Sequence, residues 1–373
     1  MNQNGLTNAA GALFGKTFQL SITRNYVSNW GVLEAIRELI QNAIDSESPF
    51  KYEFIQSEQG LGLKLQSEFS TLTPQTLLLG ATSKVSSDTA IGSFGEGYKI
   101  ALLVLTRLGY NTEVLNGGLV WTPCFRMSRT FGEEVLCIDQ HTASDRSNKG
   151  LTFIVWGVEE IKEGIIDSCL QMQRDIGEIK ETTEGIILID KPGKLYVGGL
   201  FICDTELKHG YNLKPGAVKL ERDRQTVDGW NLKLVTTRMW MHFETPTTLA
   251  QMIYDEVPDV AYADYNAPEI VRNACFELFK ERHPGALIAS SPKEMKEMVE
   301  KGLTKTVYIG STYAAVVHRT DGYKSLSTSQ KAAIATPTQR LSAWFSEHRS
   351  EMRTKAIVGF KELLKESEKW SVK

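Results

Sequence analysis

Long apolar runs are missing from this sequence. No stretch approaches the length needed to cross a bilayer, so no membrane insertion is expected. An excess of one charge is missing as well. The 42 Lys and Arg nearly balance 45 Asp and Glu, for a net charge of -3, which argues against a broad electrostatic grip on nucleic acid and leaves only local patches open. Cysteine is sparse. The five thiols, Cys124, Cys137, Cys169, Cys203 and Cys275, are scattered and form no Cys-x-x-Cys pair, as expected of incidental thiols in a reducing, cytoplasmic compartment. The six histidines are dispersed without zinc spacing, so no structural metal is implied. There is no internal repeat and no low-complexity segment. The opening Met-Asn-Gln-Asn-Gly-Leu has no basic segment followed by an apolar core, so no secretory signal is expected.

What is there is ordinary in bulk and informative in detail. The 373 residues are 42% hydrophobic and 23% charged, as in a soluble globular chain of two or three domains. From Gly31 to Ser46 the sequence reads as one amphipathic helix. Leu33, Ile36, Leu39, Ile40, Ala43 and Ile44 share a face, and Glu34, Glu38, Asn42 and Asp45 lie opposite. Glu38, Asn42 and Asp45 fall at i, i+4 and i+7, stacked on consecutive turns. Two carboxylates and a carboxamide on one stripe suit a hard cation and a water; Mg²⁺ takes few protein ligands beside substrate phosphates. Taken alone, such a stripe is the wet side of a surface helix.

A second stretch changes that reading. Gly80-Ala-Thr-Ser-Lys84 is followed by Ile91-Gly-Ser-Phe-Gly-Glu-Gly-Tyr-Lys-Ile-Ala101, after which the chain turns apolar and helical. A glycine-rich loop feeding a helix start offers free backbone N–H groups and the positive end of a helix dipole to a phosphate. Thr82, Ser83 and Lys84 add hydroxyls and a cation. By itself a glycine cluster is common turn punctuation.

Together, Glu38-x-x-x-Asn42-x-x-Asp45 and Ile91-Gly-x-Phe-Gly-x-Gly97 resemble the Bergerat ATP-binding fold. That superfamily includes gyrase B, the ninety-kilodalton heat-shock chaperones, MutL and Morc proteins, and histidine kinases. Gly-Ala-Thr-Ser-Lys84 is similar to the His-Ala-Thr-Ser-Lys element of MutL. The resemblance covers residues 19 to 160. It implies ATP and Mg²⁺ as cofactors, with Asn42 as the Mg²⁺ ligand and Glu38 as the base that orients water. Asp45 would support the nucleotide, and residues 82 to 97 would form lid and phosphate cradle, with Thr82, Ser83, Lys84, Gly92, Phe94, Gly95, Glu96, Gly97 and Tyr98 among the nucleotide contacts. The family's Asp-x-Gly-x-Gly, whose Asp reads adenine, is replaced here by Glu68-Phe-Ser-Thr-Leu-Thr-Pro74, where Glu68 takes the place of the Asp with one more methylene. The family's late Gly-Thr appears as Gly150-Leu151-Thr152, shifted by one, which nominates Thr152.

In chain order, residues 1 to 18 read as a flexible arm with a strand beginning at Phe18. Gly11-Ala-Leu-Phe-Gly-Lys-Thr17 is not a P-loop, because three residues separate its glycines where four are required. The resemblance implies that such arms exchange between protomers in an ATP-bound homodimer. Tyr52 to Leu65 reads as a hairpin turning at Gln59-Gly60, and Thr73 to Leu79 as a short helix. Asn111 to Val120, Cys124 to Arg129, Glu134 to Asp139 and Leu151 to Trp156 read as strands. The fold class is therefore α+β, a sandwich with helices on one face of a mixed sheet over residues 19–160. A second, transducer-like α/β domain is expected over 161–245, with a helix from Ile165 to Glu181 and strands at Ile186–Ile189, Lys194–Cys203 and Ala217–Leu220. Lys219-Leu-Glu-Arg-Asp-Arg-Gln225 is similar to the chaperones' Leu-x-x-Ser-Arg-Glu loop, which places Arg222, or next to it Arg224, toward the γ-phosphate. An always-charged planar fork suits that position.

A C-terminal α/β and helical region is expected over 246–373. Trp230 to Phe243 and Glu269 to Arg282 read as helices, and Ala286–Ala289, Lys293–Glu300 and Thr306–Ile309 as strand, helix and strand. From Arg340 onward, eight Lys or Arg stand against five Asp or Glu on a helical stripe that packs on its own chain or meets a partner. The functional expectation is an ATPase acting as a conformational switch on a protein or nucleic-acid client, in the cytoplasm, or in the host cytoplasm if the chain is phage-encoded. The alternative is a non-catalytic binding or regulatory protein with a degenerate nucleotide site. A histidine kinase fits less well, because no phosphoacceptor helix precedes the domain.

Overall fold

The computed structural model describes residues 15–46, 48–78, 97–143, 149–219, 228–242, 244–300, 303, 305–334 and 336–367. The fold is α+β. It divides into two compact units, Met1–Asp228 and Gly229–Lys373.

The first unit opens with β1 (Lys16–Thr23) and α1 (Val32–Ile44). The hairpin β2 (Lys51–Ser57) and β3 (Gly60–Ser67) comes next, then a 3-10 turn at Pro74–Leu77. Beyond it lie α2 (Gly97–Arg107), β4 (Thr112–Asn116), β5 (Leu119–Met127), β6 (Glu134–Thr142) and β7 (Leu151–Trp156). The seven strands form one sheet in the order β1-β6-β5-β4-β7-β3-β2, and every pairing in it is antiparallel. The β2–β3 hairpin turns where expected, with Gly60 at positive φ. Asn111 to Val120, expected as one strand, is broken by Gly117-Gly118, both at positive φ, which start β5. β1 begins at Lys16, inside the segment expected as an arm, because Lys16–Gln19 already pair with β6. Residues 1–14 lie outside the described residues.

The core of this layer is the seam between helices and sheet. Ile36, Leu39 and Ile40 of α1 and Ala101 to Leu105 of α2 pack with Leu63, Leu65, Val114, Trp121, Leu136, Ile138, Phe153 and Val155 from the strands. Fully burying each such aliphatic side chain stabilises the fold by roughly 1.5–3 kcal/mol.

The rest of the first unit departs from expectation. The helix expected from Ile165 to Glu181 is only α3 (Lys162–Asp167), a 3-10 turn at Leu170–Met172, and then β8 (Ile179–Glu181). The reason is competition for backbone partners. Cys169 bridges Leu200, and the Leu170 N–H donates to the Gly199 carbonyl at 2.8 Å, so the chain beyond Ser168 leaves the helix to pair with a strand edge. After β9 (Gly185–Leu188), Lys194–Cys203 splits into β10 (Lys194–Val197) and β11 (Leu200–Asp204) at Gly198-Gly199, both at positive φ. β12 (Gly210–Leu213) completes a second sheet, ordered β11-β10-β12-β9-β8, with β10 and β12 parallel. Ala217–Lys219, expected to begin a strand, is not one: the Ala217 N–H closes a turn onto the Lys214 carbonyl.

The second unit holds α4 (Gly229–Met241), α5 (Pro246–Tyr254), α6 (Ala263–Asn266) and α7 (Glu269–Arg282). The parallel pair β13 (Leu287–Ala289) and β14 (Thr306–Tyr308) is joined through α8 (Pro292–Glu300), the small α/β element expected here. α9 (Ser311–His318), α10 (Asp321–Ile334), α11 (Pro337–His348) and α12 (Thr354–Ser367) make the helical C-terminus.

Candidate functional site

The acidic stripe of α1 is wet only in part. Glu38 is 4% exposed, with Arg37 and Gln41 buried beside it, while Glu34, Asn42 and Asp45 are half-buried. A carboxylate held out of water costs several kcal/mol unless charge or hydrogen bonds compensate. At the helix entrance, the Glu34 carboxylate accepts the Gly31 N–H at 3.0 Å and closes the first turn. Glu38 is the carboxylate of this stripe that the fold buries.

The start of α2 meets that carboxylate. A Cβ built on Gly97 would overlap the Glu38 carboxylate and stand 3.4 Å from Asn42 Nδ2. A side chain at this position would push the Glu38 carboxylate aside. The first turn of a helix carries N–H groups and the positive end of the helix dipole, both favourable beside a negative group. Asn42 is held by its own helix, with Nδ2 donating to the Glu38 carbonyl at 2.7 Å. Asp45 stands at the end of α1, where its carboxylate accepts a long 3.5 Å bond from Gln41 Nε2.

Two buried side chains fasten the start of α2. The Tyr98 hydroxyl donates to the Thr76 carbonyl at 2.7 Å, and burial pushes its pKa up to about 12. Lys99 is fully buried and donates to the Leu78 carbonyl. Gly97 and Leu78 flank residues 79–96, so these two bonds tie together the ends of that segment. Sequence reasoning misses Lys99. Its signal is a lone lysine in the run Gly-Tyr-Lys-Ile-Ala-Leu-Leu-Val-Leu, a charge that must find a polar partner if the helix is buried. Arg107, at the other end of α2, donates to the carbonyls of Tyr26, Val27 and Trp30 at 2.9, 3.2 and 3.0 Å. It fixes the turn that feeds α1, where Val27 has positive φ.

Thr152 is 1% exposed on β7, opposite Gln66 of β3 and Leu115 of β4. Gly150 permits a close approach, since a Cβ there would run into the Ser67 and Glu68 carbonyls. The loop after β3 is pinned by Asn116, which accepts the Leu72 N–H at 2.9 Å and donates to the Leu72 carbonyl at 2.8 Å. Glu68 itself is half-exposed and forms an ion pair with Lys51 across the hairpin.

The structure thus brings Glu38, Asn42 and Gly97 into contact, with Tyr98 bracing the same helix start. Thr82, Ser83, Lys84, Gly92, Phe94, Gly95 and Glu96 lie outside the described residues, as do Arg222 and Arg224. Among the described residues, no group of three His, Cys, Asp or Glu side chains is placed to hold a metal ion. A hard cation would draw instead on the Asn42 carboxamide oxygen beside substrate phosphates and water, a donor set that fits Mg²⁺ and leaves the Glu38 carboxylate for the water. No helix among the described residues is long and apolar enough to cross a membrane.

No protein-family model matches the chain. An uncharacterized protein of Mycoplasma pneumoniae is similar to it, 24% identical over 219 residues that span 55% of this chain and 88% of that protein.

Proposed function

We propose that this chain is an Mg²⁺-dependent ATPase of the Bergerat type that works as a conformational switch. The observation that carries the reading is Glu38, buried on α1 and pressed against Gly97 at the start of α2. A solvated stripe would leave that carboxylate in water.

In this reading Glu38 accepts the proton of the attacking water and orients it toward the γ-phosphoryl group. The Asn42 carboxamide oxygen holds the cation, and Asp45 supports the nucleotide from the last turn of α1. When bound, Mg²⁺ neutralises charge on the phosphoryl oxygens. The N–H groups at the start of α2, together with Thr82, Ser83, Lys84, Gly92, Phe94, Gly95 and Glu96, receive the phosphates. Tyr98 and Lys99 keep that helix start in place. Thr152 and Glu68 stand on the base side, and Arg222 supplies positive charge to the transferring group. ATP binding would drive homodimerisation and change the grip on a protein or nucleic-acid client.

Glu38→Ala is expected to lower turnover about 10²–10⁴-fold, the usual range for losing a general base, while an ATP analogue still binds. Normal turnover by the purified variant would sink the assignment. A second reading, a non-catalytic binding protein, draws on Glu68, whose carboxylate is engaged by Lys51 at the hairpin edge. Titration calorimetry with a non-hydrolysable ATP analogue and Mg²⁺ separates the two; absence of heat at millimolar ligand favours the second. Solution mass with and without the analogue tests the dimer.

A further inference from the structure

A cavity of about 700 Å³ opens where α1, the end of α3 and the β10–β11 hairpin meet. None of Glu38, Asn42, Gly97, Tyr98 or Thr152 lines it, so its chemistry is independent of the nucleotide reading. The volume lies in the range of small-molecule sites, about 300–1,000 Å³.

Its walls have a definite chemistry. Tyr196 and Phe201 meet edge to face with centroids 5.6 Å apart, and Leu33 and Ile202 extend the apolar surface. Arg37 and Lys191 reach the same space, whereas Lys194 is exposed and pairs with Asp204 at 2.7 Å. Three carboxylates also line it and keep their charge, with their oxygens committed elsewhere or in water. Glu34 already accepts the Gly31 N–H, Asp190 accepts the Glu178 N–H at 2.8 Å, and Asp167 is exposed, where water screens its charge. Arg37 is 8% exposed, so its permanent charge acts through protein rather than solvent. Lys194 sits 5.2 Å from the Phe201 ring centre, a cation beside an aromatic face.

We propose that this cavity binds a small amphipathic anion, with its apolar body against Tyr196 and Phe201 and its acidic group toward Arg37 and Lys191. Cys203 stands in the wall and provides a reporter. Burial raises its thiol pKa, so its alkylation is monitored at alkaline pH.

The test uses the full chain and 8-anilinonaphthalene-1-sulfonate. The expected result is saturable one-to-one binding, slower iodoacetamide labelling of Cys203 by peptide mass spectrometry, and at least tenfold weaker binding of the neutral N-phenyl-1-naphthylamine. Lys191→Glu, confirmed as folded by circular dichroism, is expected to weaken sulfonate binding at least tenfold, and Lys191→Gln by less. The proposal is overturned if the sulfonate fails to saturate, if Cys203 is labelled at the same rate, or if the neutral compound binds equally. Unchanged affinity in Lys191→Glu also overturns it, as does displacement of the sulfonate by an ATP analogue.

Discussion

Helices α1 and α12 have similar sequence patterns and opposite fates. Both are amphipathic, each with an aliphatic stripe and charges on the other side. α1 is buried from Ala35 to Gln41, charged residues included. In α12 only Ser367 is buried, while Val358 and Leu363 face solvent. The α12 stripe is covered on one side by α11, where Phe345 and Phe360 stack at 5.1 Å and Trp344 lies 5.3 Å from Phe360. The difference teaches what a polar face means. On α12 it is solvation, the default for a surface helix. On α1 the fold encloses Arg37, Glu38 and Gln41, so their interactions must offset the desolvation cost.

The sharpest way to break this comparison is to cut both helices alike. Leu39→Ala in α1 removes a fully buried side chain and is expected to cost about 2–5 kcal/mol in chemical denaturation. Leu363→Ala in α12, 37% exposed, is expected to stay within roughly 0.5 kcal/mol of the parent. Equal costs would mean that the two helices are packed alike after all.

Asn116→Ala probes the loop beside the α1 layer. It removes both bonds to Leu72 from a buried carboxamide and should cost about 1–3 kcal/mol, without touching α12. Gly97→Ala is aimed at the carboxylate itself. The added Cβ displaces Glu38, and turnover is expected to fall at least tenfold, about 1.4 kcal/mol in barrier, while an ATP analogue still binds. Undiminished turnover would separate the Glu38 contact from any catalytic role.

The smallest expected effect is on pH, and it belongs to the second unit. Burial lowers the pKa of His318, against an opposing pull from Glu294, and burial with Arg282 lowers that of His283. The folded state then binds fewer protons than the unfolded one. Their contribution is fully present above the ordinary histidine value near 6.5 and is lost as pH falls through the lower folded values. A denaturation midpoint for this unit that stays flat from pH 7.5 to 5 would remove these histidines from the account.

Much of the first layer is legible in the sequence because local chemistry decides it. Gly60 marks a hairpin turn by needing positive φ, and the period of Ile36, Leu39 and Ile40 marks a helix whatever packs upon it. The same rules misread Ile165 to Glu181, where the apolar spacing looks helical and the backbone instead pairs with β11 and its turn. No local signal announces that a strand edge waits nearby. Lys194–Cys203 fails in a related way, since Gly198-Gly199 reads as part of a strand and is the turn of a hairpin.

The order of residues by itself determined that Glu38, Asn42 and Asp45 share a stripe, because helical geometry is short-range and repeats every few residues. Tertiary structure alone decided that Glu38 is enclosed, that Gly97 rather than solvent stands against it, and that Lys99 is drawn inside to hold Leu78. These contacts join residues far apart in the chain. They depend on how the helices and sheet stack, and burial changes the strength of a charge in a way no local pattern encodes.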